Sequence, residues 1–280
     1  MKIANYDGRA SLIVDHEVID LETASGGAFG PDIQALYQHF DALVSAAPGF
    51  DLSQRNALDQ AKLGSPVPRP AQVFAIGLNY FGHAEEAGLP VPTMPAAFTK
   101  FPSSLGGPFE PVPRTGETVD WEVELVVVIG RTARNVSVSD AWDVVAGVAV
   151  GQDYSERTLQ FAAGGQFSLG KSFEGFGPIG PWLVTLDELE NRDELRLRCF
   201  INDDLVQDAL TTDMVFSVSQ LIMELSKVTT LWPGDVIFTG TPAGVGITAK
   251  PPRFLEVGDV VRSEIVGIGE ITNEVIAPRQ

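Results

Sequence analysis

The stretch that decides the fold is Asp120-Trp121-Glu122-Val123-Glu124-Leu125, which leads into the apolar run Val126-Val127-Val128-Ile129-Gly130. The apolar run predicts a buried β-strand. Alternate side chains of a strand share a face, so Asp120, Glu122 and Glu124 are expected to project together. Neighbouring carboxylates repel one another and are costly to bury unless a cation lies among them. The simplest such cation is a hard divalent metal, which takes oxygen ligands.

The composition of the chain indicates which kinds of partner to expect and which cell compartment the protein occupies. The 280 residues include 37 acidic and 19 basic side chains, which give a formal net charge of −18 at pH 7. Nucleic acids and anionic membranes attract basic proteins, so neither is expected as a partner. Cys199 is the only cysteine, so no internal disulfide or zinc cluster is expected. No signal-peptide pattern and no apolar run of about 20 residues is present, which predicts a cytoplasmic protein.

The first 68 residues predict a small N-terminal domain. Residues 3–6 and 11–14 flank Asp7-Gly8, a dipeptide typical of hairpin turns. Pro31 is expected to open a helix with an apolar face that ends at Pro48-Gly49. The proline-rich segment 64–70 can neither continue a helix nor pair inside a sheet. We therefore predict a domain boundary near residue 68, followed by a larger domain over residues 69–280.

The larger domain is expected to be rich in strands. Apolar and alternating runs predict strands over residues 73–76, 96–100, 122–129, 144–153, 195–201, 236–238 and 260–265. One convincing helix follows Ser217, which forms a capping-box pattern with Gln220. Together these elements predict an α+β fold dominated by a rolled or sandwiched sheet.

Three further segments carry candidate functional residues, each with an ordinary alternative. Asp153 ends a predicted strand and could complete a metal site or cap a helix. His83 and Glu86 would share a helical face, where a carboxylate-held histidine is a good general base, although these residues alone favour a surface histidine beside solvated glutamates. The glycine-rich loop that contains Thr241 could hold an anionic ligand or be a tight turn.

These segments together resemble the fumarylacetoacetate hydrolase superfamily, in its acylpyruvase and 2-hydroxyhepta-2,4-diene-1,7-dioate isomerase-like branch. The motifs that carry the resemblance occur in the family's order over about residues 70–275. They are Gly77-Leu78-Asn79-Tyr80 with His83 and Glu86, Asp120 to Leu125, Asp153 with Arg157 and Gln160, Gly170-Lys171-Ser172, and Gly240-Thr241-Pro242-Ala243-Gly244-Val245-Gly246. Trp121 stands where many members have tyrosine, and Phe81-Gly82 replaces a more polar pair.

The resemblance implies a mixed β-roll, a homodimer and a Mg²⁺ or Mn²⁺ cofactor. It implies roles for individual residues as follows: Glu122, Glu124 and Asp153 as metal ligands, His83 and Glu86 as a water-activating pair, Lys171 and Gln160 as further catalytic groups, and Arg157, Tyr80 and Thr241 as substrate contacts. Asp120 would flank the ligands rather than bind the metal.

The resemblance also implies a function in the breakdown of 2-oxo or β-diketo acids, as in the catabolism of aromatic compounds. We expect a hydrolase that cleaves a C–C bond of an acylpyruvate or fumarylpyruvate through a metal-stabilised enolate. The same site could instead isomerise 2-hydroxyhepta-2,4-diene-1,7-dioate or decarboxylate oxaloacetate. A non-catalytic protein that binds a metal or ligand is the alternative from another class.

Overall fold

The N-terminal segment forms an antiparallel meander. The computed structural model describes residues 1–278. Strands β1 (Lys2–Tyr6), β2 (Arg9–Val14) and β3 (Glu17–Asp20) pair in sequence order. Asp7 and Gly8 both adopt positive φ angles, of 53° and 77°, which suits the tight turn that hairpins favour. The predicted hairpin is confirmed.

The helix predicted to start at Pro31 is broken into short pieces. After α1 (Leu21–Ala24) come α2 (Ile33–Leu36), a 3₁₀ turn over Tyr37–His39 and α3 (Phe40–Ala46). The start shifts to Ile33 because the Asp32 carboxylate accepts a hydrogen bond from the Gln34 amide and so caps the helix there. The predicted apolar face is still largely buried, with Leu43 fully enclosed.

The rest of the chain confirms the predicted strands to within a residue or so at each end. After β4 (Asn56–Ala57) and β5 (Leu63–Gly64), the strands are β6 (Val73–Gly77), β7 (Ala96–Thr99), β8 (Leu105–Gly106), β9 (Val112–Pro113), β10 (Val119–Asp120), β11 (Val123–Ile129), β12 (Val145–Gln152), β13 (Ser155–Glu156), β14 (Gly177–Val184), β15 (Arg196–Ile201), β16 (Asp204–Leu210), β17 (Val236–Phe238), β18 (Val260–Ile265) and β19 (Gly269–Ile276). The helices here are α4 (Phe81–Glu86), α5 (Arg157–Ala162) and α6 (Val218–Val228). Ser217 and Gln220 form the predicted capping box of α6.

Two mixed sheets carry the core, which confirms the α+β class. The larger runs β4-β3-β2-β1-β14-β12-β11-β17-β6-β7, and the smaller runs β16-β15-β18-β19-β9. Because β1 pairs with β14 through Lys2 and Ile3, the N-terminal meander continues the larger sheet. The division of the chain near residue 68 stays a prediction. None of the helices within residues 1–278 has the length and apolar character that crossing a membrane requires.

Strands β11 and β12 lie at the centre of this arrangement and are buried on both faces. Val127 and Val148 belong to the core shared with the smaller sheet, whereas Val126 and Ala149 face the core that includes the N-terminal helices. A strand buried on both faces needs a continuous apolar run, as residues 125–129 provide. The carboxylates of the candidate site lie at the end of this strand pair.

Candidate active site

Three buried carboxylates meet where β11 begins and β12 ends. Antiparallel pairing sets Val123 opposite Gln152, so Glu122 and Asp153 are neighbours, and the Asp153 amide donates to the Glu122 carbonyl at 2.9 Å. Glu124 lies on the same side. One carboxylate oxygen from each of the three lies within 4.8 Å of the other two. The predicted ligands therefore lie close enough together to share one ion.

Two lysines pair with these carboxylates. The Lys171 ammonium lies 2.7 Å from both the Glu122 and the Asp153 carboxylates. Burial disfavours the ammonium, but Asp153 and Glu122 outweigh it and raise the pKa of Lys171, which keeps this side chain charged. Lys100, which the sequence reasoning missed, is fully buried and donates to Asp153 at 2.6 Å and to the Lys171 carbonyl.

Arg157 connects the carboxylates to a fourth acidic residue. At the start of α5, its guanidinium lies 2.6 Å from Glu122 and donates to Asp120 at 2.8 Å and to the Gln160 side chain at 2.9 Å. Asp120 also accepts hydrogen bonds from the Gly246 and Ile247 amides. The strand pattern placed Asp120 on one face with Glu122 and Glu124. Asp120 does share the Arg157 guanidinium with Glu122, but it is not one of the three carboxylates that lie within 4.8 Å of one another. It flanks that cluster, as the family resemblance implies.

The charges of the site suit an added cation. Four buried carboxylates face the side chains of Lys100, Arg157 and Lys171. Burial opposes ionisation of Glu122, but Lys171 and Arg157 lower its pKa to about 2. Burial, together with the charges of Asp153 and Glu122, raises the pKa of Glu124 well above its ordinary value. Within residues 1–278, Glu124 is the one of these four carboxylates that forms no ion pair with a lysine or arginine, and a hard divalent ion with oxygen ligands would place positive charge beside it.

A single glycine brings the backbone against Glu124. The Gly240 amide donates to the Glu124 carboxylate at 2.7 Å. Gly240 has a φ angle of 103°, and a Cβ atom there would lie 2.6 Å from the Asn79 side chain. Both the left-handed backbone and the close approach require glycine. This contact fixes the position of Glu124 but brings no positively charged group to it.

His83 and Glu86 form the pair that helical spacing predicts. The His83 Nδ1 atom lies 2.7 Å from a Glu86 oxygen, and the other Glu86 oxygen accepts from the Gly244 amide at 2.9 Å. Because an ionised carboxylate only accepts, Nδ1 donates in this contact, and in the neutral ring Nε2 is the nitrogen that can accept a proton. Burial acts against the charge of Glu86, but the bonds from His83 and Gly244 outweigh it and lower its pKa. The pair has the geometry of an oriented general base.

Several of these groups line one small cavity of about 120 Å³. Its polar lining comprises His83, Glu122, Arg157, Gln160, Lys171, Thr241 and Thr248. The Thr241 hydroxyl is already used within the protein, because it donates to the Val123 carbonyl at 2.9 Å and accepts from Gln207. Tyr80 is buried in the core, forms an isolated bridge with Met214 and does not line the cavity. Its predicted contact with substrate stays a prediction.

Comparison with known proteins places this arrangement in a family. The family model described as Fumarylacetoacetate (FAA) hydrolase C-terminal matches residues 72–276. A Xenopus laevis protein named oxaloacetate tautomerase fahd2, mitochondrial, is 42% identical over 274 residues, which cover 92% of this chain and 86% of that protein. The match confirms the resemblance drawn from the motifs.

Two solved structures extend the comparison to the fold. A Mycobacterium smegmatis protein provisionally described as HpcE is 50% identical, with a TM-score of 0.95 over 100% of both chains. Maleylpyruvate hydrolase from Sphingobium sp. SYK-6, solved with a manganese(II) ion and pyruvate, is 32% identical, with a TM-score of 0.78 over 100% of both chains. Tautomerisation, which the first relative's name states, is an activity that the sequence reasoning did not consider.

Proposed function

Because this chain is an enzyme that belongs to the fumarylacetoacetate hydrolase family, we propose that it hydrolyses a C–C bond in an acylpyruvate. The observation that carries the proposal is the His83–Glu86 pair, whose ring shares one small cavity with Glu122 and Lys171. A base beside buried carboxylates and an ammonium suits a reaction that activates water and stabilises a departing anion. A protein that only binds a metal or ligand would need no such base. We therefore do not retain the non-catalytic alternative.

We propose Glu122, Glu124 and Asp153 as the ligands of a Mg²⁺ or Mn²⁺ ion. All three are buried, and their oxygens are the donors that both ions prefer. A divalent ion held there would supply Lewis-acid polarisation of a carbonyl. The manganese(II) ion of maleylpyruvate hydrolase supports this assignment by analogy.

The protein's own residues would then divide the reaction between them. His83 Nε2 removes a proton from water, and the water oxygen adds to the carbonyl carbon of the acyl group. The bond between that carbon and the pyruvate half breaks, and its electron pair stays on the pyruvate half as an enolate. The Lys171 ammonium stabilises this negative charge, and His83 returns its proton to the pyruvate half. Arg157 and Gln160 would orient the substrate from the start of α5.

A second candidate is the keto–enol tautomerisation of oxaloacetate. The name of the Xenopus laevis relative favours it. The same His83 would then move a proton between the carbon beside the 2-oxo group and its oxygen, and no bond between carbons would break. Isomerisation of a 2-hydroxydienoate and decarboxylation of oxaloacetate stay open as related uses of the site.

The test is to incubate the protein with acetylpyruvate or oxaloacetate, once with Mn²⁺ or Mg²⁺ and once with EDTA. The readouts are the loss of enol absorbance and the release of acetate. We expect metal-dependent cleavage of acetylpyruvate and a loss of about 10²–10⁴ in kcat for His83→Ala. His16→Ala, at an exposed turn, is the matched control. Rapid tautomerisation of oxaloacetate without any acetate release would favour the second candidate, and absence of both activities would refute both.

The homodimer, the cytoplasmic location and a role in the catabolism of aromatic compounds stay predictions from the sequence and the family resemblance. We propose small 2-oxo acids as the substrates, since the homologues are named for such compounds.

A further inference from the structure

The cavity has an apolar end that the proposed reaction does not use. Phe98, Phe161 and Phe167 form one side of it, and we call these three residues the aromatic wall. Phe167 packs edge-to-face against both neighbours, with ring centroids 5.7 Å from Phe98 and 5.8 Å from Phe161. Leu89 also lines this end. Rings that pack against one another hold a defined surface, as a specific pocket needs.

The aromatic wall begins directly beside the charged end. The Lys171 ammonium, which bridges Glu122 and Asp153, lies 5.4 Å from the centre of the Phe98 ring. A substrate whose 2-oxo acid group lies among the charged groups would therefore extend the remainder of its chain along the aromatic wall. The apolar character of the aromatic wall would then determine which substrate tails the cavity accepts.

The cations of the cavity are already committed to carboxylates. Arg157 pairs with Asp120 and Glu122, and Lys171 pairs with Glu122 and Asp153. His83 is held by Glu86. A second carboxylate placed against the aromatic wall would exchange part of its water for ring surface without gaining a cationic partner among the lining residues, which is unfavourable.

The apolar end also has surface left to cover. Phe161 is 52% exposed and Leu89 is 50% exposed, although both line the cavity. Burial of an apolar group against such surface is favourable in proportion to the area covered. A cavity of about 120 Å³ is smaller than the pockets of drug-sized ligands, which are about 300–1,000 Å³. The tail that it accepts is short.

We infer that the aromatic wall selects substrates with a short apolar acyl tail and rejects those with a second carboxylate. This inference rests on the proposed function, and it favours acetylpyruvate and its longer alkyl homologues over fumarylpyruvate and oxaloacetate. Phe98, Phe161 and Phe167 are thereby assigned as residues that determine specificity.

The kinetic test compares acetylpyruvate, butyrylpyruvate and fumarylpyruvate with Mn²⁺ present. Each methylene buried at the wall should raise kcat/KM about fourfold, so butyrylpyruvate should exceed acetylpyruvate about fifteenfold. Phe161→Ala should reduce this ratio to below about fivefold. Phe161→Arg, which offers a planar cation to a carboxylate, should raise kcat/KM for fumarylpyruvate at least about tenfold. Phe101→Ala is the matched control, because Phe101 is 46% exposed and does not line the cavity.

A binding test separates this inference from the proposed reaction. Calorimetry with Mn²⁺ compares 2-oxoglutarate with 5-methyl-2-oxohexanoate, which has an isopropyl group in place of the distal carboxylate. We expect the apolar ligand to bind at least about tenfold more tightly, and Phe161→Ala to weaken its binding alone. Equal or tighter binding of 2-oxoglutarate, or a preference for fumarylpyruvate, would overturn the inference while leaving C–C hydrolysis intact. Failure to cleave any acylpyruvate would instead refute the proposed function. The calorimetry would still measure whether the aromatic wall prefers an apolar tail to a carboxylate.

Discussion

Replacement of Lys171 by methionine should destabilise the metal-free protein while strengthening its binding of a divalent metal. The Lys171 ammonium lies 2.7 Å from Glu122 and from Asp153, and all three side chains are buried. Methionine preserves most of the apolar stem but leaves the two carboxylates facing each other. Removal of one partner from a buried ion pair costs about 3–5 kcal/mol. Two hydrogen bonds to charged groups, at about 1.5–3 kcal/mol each, give a similar figure.

The stability of the same variant should increase more on addition of a divalent metal than the stability of the wild type does. The Lys171 ammonium and a divalent ion would both bind the carboxylates of Glu122 and Asp153. Lys171→Met therefore removes a positive charge that competes with the ion for these two carboxylates. A metal that binds only the folded protein stabilises it by about 2.7 kcal/mol at 100 times its Kd. Saturating Mn²⁺ should therefore restore most of the stability that the variant lacks in EDTA.

Urea unfolding followed by circular dichroism, in EDTA and in Mn²⁺, measures both effects, and calorimetry gives the Mn²⁺ affinity. Lys227→Met is the control, because Lys227 is about half exposed and its one ion pair within residues 1–278 is a surface pair with Glu224. It should change the free energy of unfolding by less than about 0.5 kcal/mol. If Lys171→Met were as stable as the wild type in EDTA, or bound Mn²⁺ more weakly, the charge balance described here would be wrong.

Two further predictions concern the other groups of the site. Asp153→Asn should weaken Mn²⁺ binding more than about 100-fold, whereas Asp208→Asn, in a surface ion pair with Arg196, should leave it unchanged; equal affinities would remove Asp153 from the ligand set. The lowered pKa of Glu86 means that its ionised form stabilises the folded state above the unfolded pKa of about 4.5, and that this contribution is lost as pH falls through the folded value. The stability advantage of wild type over Glu86→Gln should thus be present at pH 7 and shrink in acid, and a pH-independent difference in urea unfolding would contradict it.

The sequence predicted most elements because their patterns are local. The run over residues 125–129 is apolar on both faces, and β11 is indeed buried on both. The Ser217 and Gln220 pair marked the start of α6, and it forms the capping box. The helix expected from Pro31 differs more from the structure, because the Asp32 cap moves its start and the Tyr37–His39 turn divides it. The Asp32 cap is a local contact that the apolar pattern does not show, and Tyr37 also donates to the distant Pro66 carbonyl, which no periodicity can indicate.

The residues that support the site were harder to predict than the residues that form it. Lys100 follows an apolar strand with no spacing that links it to Asp153, which is 53 positions away. Gln207 accepts from the Val123 amide across 84 positions and donates to Thr241. Such partners become neighbours only once the strands have paired. The one available signal for Lys100 was a lone lysine at the end of an otherwise apolar strand, since lysine is seldom fully buried without a partner.

The position of Asp120, which flanks the carboxylate cluster, shows how the site is built. Between β10 and β11, side chains replace the ladder of a regular sheet: Asp120 accepts from the Trp121 amide, Gln152 from the Glu122 amide and Gln207 from the Val123 amide. Because these bonds satisfy the backbone, the chain leaves the alternation of a strand without a buried, unpaired amide. Asp120 then holds Arg157 and the loop at Gly246, while Glu122 contacts both Arg157 and Lys171. The regular alternation of β11 begins only at Val123, and such local departures from a sequence pattern are expected at functional sites.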